Sequence, residues 1–164
     1  MRSSLFAIVS ALSLTACAAA PACPDPEPQV ATAGDEEPSP PSPPAEVRRL
    51  EDAPRRAAPT GTATIAFLAR GNNAFVAELV MEPGASVPEH QDSDEEYIVV
   101  LQGRGTMRID GVEHEVTPGS TIFMPAGATV SFQNGDERLV AIQVFAGPGS
   151  AAKYERWTPV APGE

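Results

Sequence analysis

A single histidine stands among five acidic residues in the segment 88–103, PEHQDSDEEYIVVLQG. His90 and Asp92 are two residues apart, so in an extended strand their side chains lie on the same face. Glu96 follows at the start of an apolar run. An imidazole and two carboxylates suit a divalent metal such as Mn, Fe, Ni or Zn, and three ligands leave positions open for a substrate. His90, Asp92 and Glu96 are therefore candidate metal ligands or polar anchors of a ligand pocket.

The same carboxylates have a use without a metal. Clustered carboxylates repel each other, so we expect at least one of them to have a raised pKa, which would suit proton transfer. The neighbouring acids Glu89, Asp94 and Glu95 are expected to be solvated loop residues.

Two further polar side chains are candidates for the pocket. His114 has the same strand parity as Val112 and Val116, and Gln143 lies inside the apolar run LVAIQVF. Both can point inward, although an exposed His114 and a Gln143 packed on a sheet face are the simpler readings. The two cysteines precede the segment with strand character, which excludes thiol chemistry there.

The elements that must position these residues are short strands. Apolar runs of strand length alternate with turn signals, the strongest being the Asp110-Gly111 pair between two such runs. No run has helical periodicity long enough for a helix. This pattern predicts an all-β sandwich or barrel over 61–150, and we expect the tail 151–164 to pack back through Tyr154 and Trp157.

The first sixty residues have a different composition. Residues 1–16 combine an early positive charge with a twelve-residue apolar stretch, too short to span a membrane, which predicts a signal peptide. Eleven of the 18 prolines lie in the region 17–60, and this region lacks the large apolar side chains needed for a core, so we expect a disordered tether. The net charge of −11 argues against a nucleic-acid partner.

Residues 14–17, LTAC, resemble a bacterial lipobox, in which the cysteine becomes the lipidated first residue of the mature protein. The resemblance implies lipidation of Cys17 and a membrane anchor in the cell envelope. Ala18 after the cysteine favours the outer membrane if the cell has two membranes. Cys23 is then left over, as a linker thiol or a disulfide partner.

The strand region resembles the cupin superfamily, in particular small single-domain bacterial cupins. His90, Asp92 and Glu96 occupy first-motif positions between two glycines, and a second motif follows fifteen residues later. The motif residues besides the three site candidates are Gly84, Gly103, Gly119, Pro125, Gly127 and Asn134. The resemblance implies a small double-stranded β-helix, which is a jelly-roll-like barrel.

The sequence also departs from the family pattern. The usual metal set in cupins is three histidines and one glutamate, but Asp92 replaces one histidine here and Val130 replaces another. Three functions stay open: a small-molecule pocket, a metal-dependent enzyme of oxygenase or isomerase type, and an envelope interaction domain with a vestigial pocket. The strand EYIVVLQG is apolar on both faces, and cupins often pair between subunits, so we expect a homodimer.

Overall fold

The computed structural model describes residues 41–147 and 149–161. The predicted signal peptide, Cys17, Cys23 and most of the predicted tether lie outside these residues. A 3-10 turn at Leu50–Asp52 precedes eleven strands and one short helix, α1, at Ala152–Glu155. The strands are β1 Arg55–Ala57, β2 Ala63–Arg70, β3 Phe75–Met81, β4 Ser86–His90, β5 Glu95–Gln102, β6 Gly105–Ile109, β7 Val112–Val116, β8 Thr121–Met124, β9 Val130–Asn134, β10 Leu139–Ala146 and β11 Thr158–Val160.

The strands form two antiparallel sheets. One has seven strands in the order β11-β1-β2-β3-β10-β5-β8, and the other has four in the order β4-β9-β6-β7. The all-β barrel predicted from the sequence is confirmed. Strand β4 tolerates Pro88 because it is an edge strand that pairs only with β9.

Strand β5 shows how the side-chain alternation builds the interior. Its burial alternates strictly, so Glu96, Ile98 and Val100 point inward while Tyr97, Val99 and Leu101 point outward. Antiparallel pairing with β10 on one side and β8 on the other fixes this register. A slip of one residue would expose the whole inward row, so the position of Glu96 inside the barrel follows from the apolar pattern around it.

The apolar interior has two parts. The larger cluster lies between the two sheets and includes Met81, Val100, Met107 and Phe132. A smaller aromatic cluster packs Phe75, Phe145 and Tyr154 together, with Trp157 against the Tyr154 ring at 4.9 Å between ring centroids. In the described part of the tail, Tyr154 is therefore buried in this cluster and Trp157 packs against it.

The barrel begins earlier than the boundary at residue 61. Strand β1 pairs with β2 on one side and with β11 of the tail on the other. The predicted tether therefore ends before Arg55. Its composition misled the prediction because β1 is held mainly by backbone hydrogen bonds at the end of the sheet, which require no large apolar side chain.

One outer sheet face carries exposed apolar side chains. Tyr97, Val99 and Leu101 on β5 and Phe123 on β8 are 38–49% exposed, and the rings of Tyr97 and Phe123 lie 5.0 Å apart between centroids. The homodimer expected from the sequence stays a prediction. Across the described residues, no helix is long and apolar enough to cross a membrane.

Two motif glycines allow a matched test of the fold. Gly84 and Gly103 both have positive φ, but a Cβ at Gly84 would meet no atom within 4 Å, whereas one at Gly103 would lie 2.6 Å from the Arg138 carbonyl oxygen. We expect Gly84→Ala to lower the free energy of unfolding by about 1–2 kcal/mol. Gly103→Ala should add a further loss of about 1–3 kcal/mol because the backbone must move. Chemical denaturation measures both, and equal losses would contradict the placement of β10 against Gly103.

Candidate functional site

A cavity of about 240 Å³ lies inside the barrel between the two sheets. Its walls are almost entirely apolar and include three methionines, Met81, Met107 and Met124. Polar side chains reach it mainly at one end, where His90, Glu96, Gln143, Lys153 and Tyr154 line it. We call these five residues and Asp92 the polar cluster. An apolar cavity with a few polar groups at one end is the usual form of a small-molecule site.

Neighbouring elements position the polar cluster. His90 is the last residue of β4, and Glu96 and Gln143 lie on the paired strands β5 and β10. Helix α1 supplies Lys153 and Tyr154. The Asp94 carboxylate holds the start of this tail because it accepts a hydrogen bond from the Ser150 backbone N–H at 2.6 Å. Asp94 is therefore not the purely solvated acid that the sequence suggested.

A buried chain of hydrogen bonds joins three members of the polar cluster. The Tyr154 hydroxyl donates to Gln143 Oε1 at 3.0 Å, and Gln143 Nε2 donates to Glu96 Oε1. Burial raises the pKa of Glu96, and this effect outweighs the hydrogen bond from Gln143 that acts to lower it. Burial also raises the pKa of Tyr154 well above its usual value. Both groups therefore favour their neutral forms, and Glu96 is the carboxylate with the raised pKa expected from the sequence.

The other members form an ion-paired group at the mouth of the cavity. Lys153 Nζ donates to Asp92 Oδ2 at 2.6 Å, and His90 Nε2 lies 3.5 Å from the same oxygen. His90 Nδ1 lies 2.9 Å from the Pro88 carbonyl oxygen, so Nδ1 is the donor of that bond. The contact with Asp92 raises the pKa of His90, because an imidazolium can donate from both nitrogens. Burial acts to raise the pKa of Asp92, but His90 and Lys153 outweigh it and hold that pKa below its usual value.

These partners bear directly on the predicted metal site. Among residues 41–147 and 149–161, no three or more His, Cys, Asp or Glu side chains come together as a metal site. Asp92 is paired with an ammonium group, Glu96 accepts from Gln143, and the residue opposite His90 in the β4–β9 register is the apolar Val130. The donor set present here therefore does not fit a divalent metal.

The two further pocket candidates have different outcomes. Gln143 is buried and lines the cavity. This position agrees with the inward-pointing alternative given for it in the sequence analysis. The inward reading of His114 is wrong: its side chain is exposed, and it does not line the cavity. Strand β7 is an edge strand, and along it only the last residue, Val116, is buried. Strand parity alone therefore did not establish burial.

The motif residues outside the polar cluster hold loops at both ends of the barrel. The Gly127 N–H donates to the Asp92 carbonyl oxygen at 2.8 Å, which ties the turn after Pro125 to the first motif. Gly119 N–H donates to the carbonyl oxygen of Val100 at 2.9 Å. Asn134 is buried, and its side-chain amide donates to the carbonyl oxygens of Glu82 and Glu137 at 2.8 and 2.9 Å.

Sequence reasoning missed two members of the site. Tyr154 was expected only to pack, and Lys153 was not considered at all. A signal for Lys153 was present, because it is the sole lysine of the 164-residue sequence and all ten other cationic side chains are arginines. What the sequence could not supply is the path of the tail, which brings Lys153 to within hydrogen-bonding distance of Asp92, 61 residues earlier in the chain.

The comparison with protein families decides the identity of the barrel. A family model described as a cupin domain matches residues 77–145. Residues 77–145, which include most of the barrel, therefore match a cupin domain. The matched range contains both motifs of the cupin domain but ends before Lys153 and Tyr154. The resemblance inferred from the motif spacing is therefore confirmed.

Known relatives extend this comparison. The chain is 32% identical over 76 residues to dimethylsulfoniopropionate lyase DddW from Ruegeria pomeroyi, a match that covers 46% of this chain and half of the lyase. An RmlC-like cupin from Shewanella frigidimarina matches with a TM-score of 0.59 at 16% identity, over 65% of this chain and 95% of that one. A protein described as a predicted oxalate decarboxylase from Thermotoga maritima matches with a TM-score of 0.55 at 24% identity, over 62% of this chain and 98% of that one. The polyketide cyclase RemF from Streptomyces resistomycificus matches with a TM-score of 0.55 at 22% identity, over 62% of this chain and 78% of that one. The structural likenesses bear on the fold alone.

The raised pKa of Glu96 predicts a dependence of stability on pH. The folded chain holds a proton on Glu96 that the unfolded chain releases near pH 4.3. The contribution of Glu96 to the free energy of unfolding therefore has its full value below that pH. It falls as the pH rises to the pKa of Glu96 in the folded protein. Glu96→Gln keeps a hydrogen-bond acceptor but cannot ionise. We expect the unfolding free energy of Glu96→Gln, relative to the unsubstituted protein, to rise as the pH increases from about 4.3 to the pKa of Glu96 in the folded protein, and to be level above it.

The matched control is Glu89→Gln, which removes the same charge from an exposed residue nearby. The change in unfolding free energy with pH is compared between Glu96→Gln and this control, and we expect the larger rise for Glu96→Gln. Denaturation curves at several pH values give both differences. A level difference for Glu96→Gln would show that the buried carboxyl is not held neutral.

Proposed function

We propose that the cupin domain binds a small organic molecule inside its barrel without a metal ion. The observation that carries this proposal is the cavity of about 240 Å³, with its apolar walls and its polar cluster at one end. An apolar wall favours the carbon skeleton of a ligand, and a few fixed polar groups set its orientation. Side chains of His90 and Lys153 are 31% and 30% exposed, so the polar end reaches the surface.

The hydrogen-bond partners support a site that works without a metal. Each candidate ligand already has a protein partner: Asp92 binds Lys153, Glu96 binds Gln143, and His90 faces Asp92. Lys153 supplies a positive charge within this group. A divalent cation bound to Asp92 would have to displace the ammonium at 2.6 Å and would meet Val130 where the family pattern has a histidine.

An enzyme that uses acid–base chemistry is the second candidate. The relatives named above include a lyase, a predicted decarboxylase and a cyclase. In this chain, the observation that favours catalysis is the pair of environments at one end of the cavity. The buried Glu96 favours its neutral acid form, whereas Asp92 favours its carboxylate. Carboxyl groups with opposite shifts are a known arrangement for an acid and a base. Turnover of a bound compound would distinguish this candidate from a binding protein.

The pocket is tested by filling it. Val116→Phe places a larger side chain on the cavity wall, whereas Val112→Phe makes the same change on an exposed part of the same strand. We expect compounds from a library of small aliphatic and aromatic metabolites to raise the melting temperature of the unsubstituted protein, with EDTA present or absent. Val116→Phe should weaken their binding at least tenfold, and Val112→Phe should leave it unchanged. Overpacking costs about 1–3 kcal/mol, so folding of each variant is verified by circular dichroism.

Two results would contradict the proposal. The first is that no compound shifts the melting temperature of the unsubstituted protein. The second is that binding is present without EDTA and lost with it, which would make a metal part of the site.

We also propose that the domain is anchored in the cell envelope through Cys17, from the lipobox-like residues 14–17. Cys17→Ser should leave the precursor uncleaved and free of labelled fatty acid. Cys23→Ser is the matched control, six residues further along, and its processing and labelling should be normal. Normal processing of Cys17→Ser would refute the anchor and leave the barrel account intact.

A further inference from the structure

The sole lysine of the chain lies in the polar cluster. All ten other cationic side chains are arginines, yet the one that lines the cavity is a lysine. An ammonium group is a compact point charge with three donors, whereas a guanidinium is a wide planar fork. Here the ammonium lies beside Asp92, with Nζ 2.6 Å from Oδ2.

Contacts on several sides hold Lys153 in place. The tail is tied at Ser150 to the Asp94 carboxylate, and Ala151 is fully buried. The Lys153 Nζ lies 4.8 Å from the Phe145 ring centroid and 5.4 Å from that of Tyr154, both cation–π distances. The ammonium is therefore a fixed part of the site.

The ammonium also has capacity for a ligand. Its one hydrogen-bond partner among the described residues is Asp92, which uses one of three N–H groups. The remaining two N–H groups can donate hydrogen bonds to a ligand carboxylate, either one to each oxygen or both to the same oxygen. Among the described residues, no arginine lines the cavity, so a phosphate group, with its two charges and three oxygens, would find too few donors.

The other charged groups around the cavity favour an anion over a cation. The Asp92 carboxylate accepts a hydrogen bond from Lys153 and lies 3.5 Å from His90. Glu96 is buried, and its Oε1 accepts a hydrogen bond from Gln143 Nε2. Both carboxyl groups of the polar cluster therefore already have protein partners, whereas the Lys153 ammonium keeps N–H groups for an anionic ligand.

We propose that Lys153 is the resident cation of this cupin site, in place of a metal, and that it binds the carboxylate of a small monocarboxylic acid whose apolar body fills the barrel. This proposal rests on the pocket proposed above and specifies what the pocket takes. It assigns a ligand-binding role to a residue outside the range that the cupin family model matches.

Matched acid and amide pairs test the proposal, because the two members have nearly the same shape and differ in charge. The probes are butyrate, hexanoate, octanoate and 3-phenylpropionate, each with its amide. The full chain contains one tryptophan, Trp157, which lines the cavity, so tryptophan fluorescence reports binding directly. We expect at least one acid to bind at least tenfold more tightly than its amide.

Lys153→Met should remove this preference, so that the acid and the amide bind alike. Arg156→Met is the matched control: it removes the same charge three residues further along, from an exposed side chain that does not line the cavity, and it should keep the preference. If Lys153→Met fails to fold, ligand protection of the sole lysine against acetylation gives the same answer, with acids protecting and amides not.

The outcomes separate this proposal from the proposed function. If acids and amides bind equally, or if library compounds of other classes bind and none of the acids does, the role of Lys153 is overturned and the pocket stands. If Lys153→Met folds and keeps the preference, the role is also overturned. If no compound of any class binds, both proposals fail.

Discussion

The buried carboxyl of Glu96 is the constraint on which the site depends. The alternation of β5 places it inside an apolar barrel, in the same row as Ile98 and Val100. A buried polar group without partners is costly, so the fold must supply hydrogen bonds. Gln143 supplies one from the neighbouring strand, and Tyr154 holds Gln143 from the tail. The packing that brings Tyr154 into place also brings Lys153 to Asp92, so satisfying one carboxyl organises the whole polar cluster.

This arrangement explains how a cupin domain can keep a polar end after losing family metal ligands. In the resemblance drawn from the motifs, Asp92 and Val130 replace two histidines. Removing a metal from a set of acids would leave their negative charges uncompensated. Here Lys153 pairs with Asp92, and burial favours the neutral form of Glu96. A residue of the C-terminal tail thus compensates the charge of Asp92, burial acts against a charge on Glu96, and the barrel cavity remains available for a ligand.

Much of the barrel could be predicted because its signals are local. The Asp110-Gly111 turn, the alternation in β5 and the spacing of His90, Asp92 and Glu96 are each readable within a few residues. The missed elements depend on distant partners. Strand β1 exists because Arg55–Ala57 pairs with β2 and with β11, about a hundred residues later. Lys153 reaches the site for the same reason, since the tail returns to the barrel. The inward interpretation of His114 was wrong for a different reason. Its place in the strand alternation matched that of the buried Val116, but β7 lies at the sheet edge and His114 is exposed.

The central claim is that the polar cluster works with a lysine and without a metal. Elemental analysis of the full chain tests it most directly, with protein purified without chelator from cells supplied with Mn, Fe, Ni and Zn, alongside His90→Ala. The account predicts far less than one metal per chain in both proteins. One metal per chain in the unsubstituted protein, lost in His90→Ala, would contradict it.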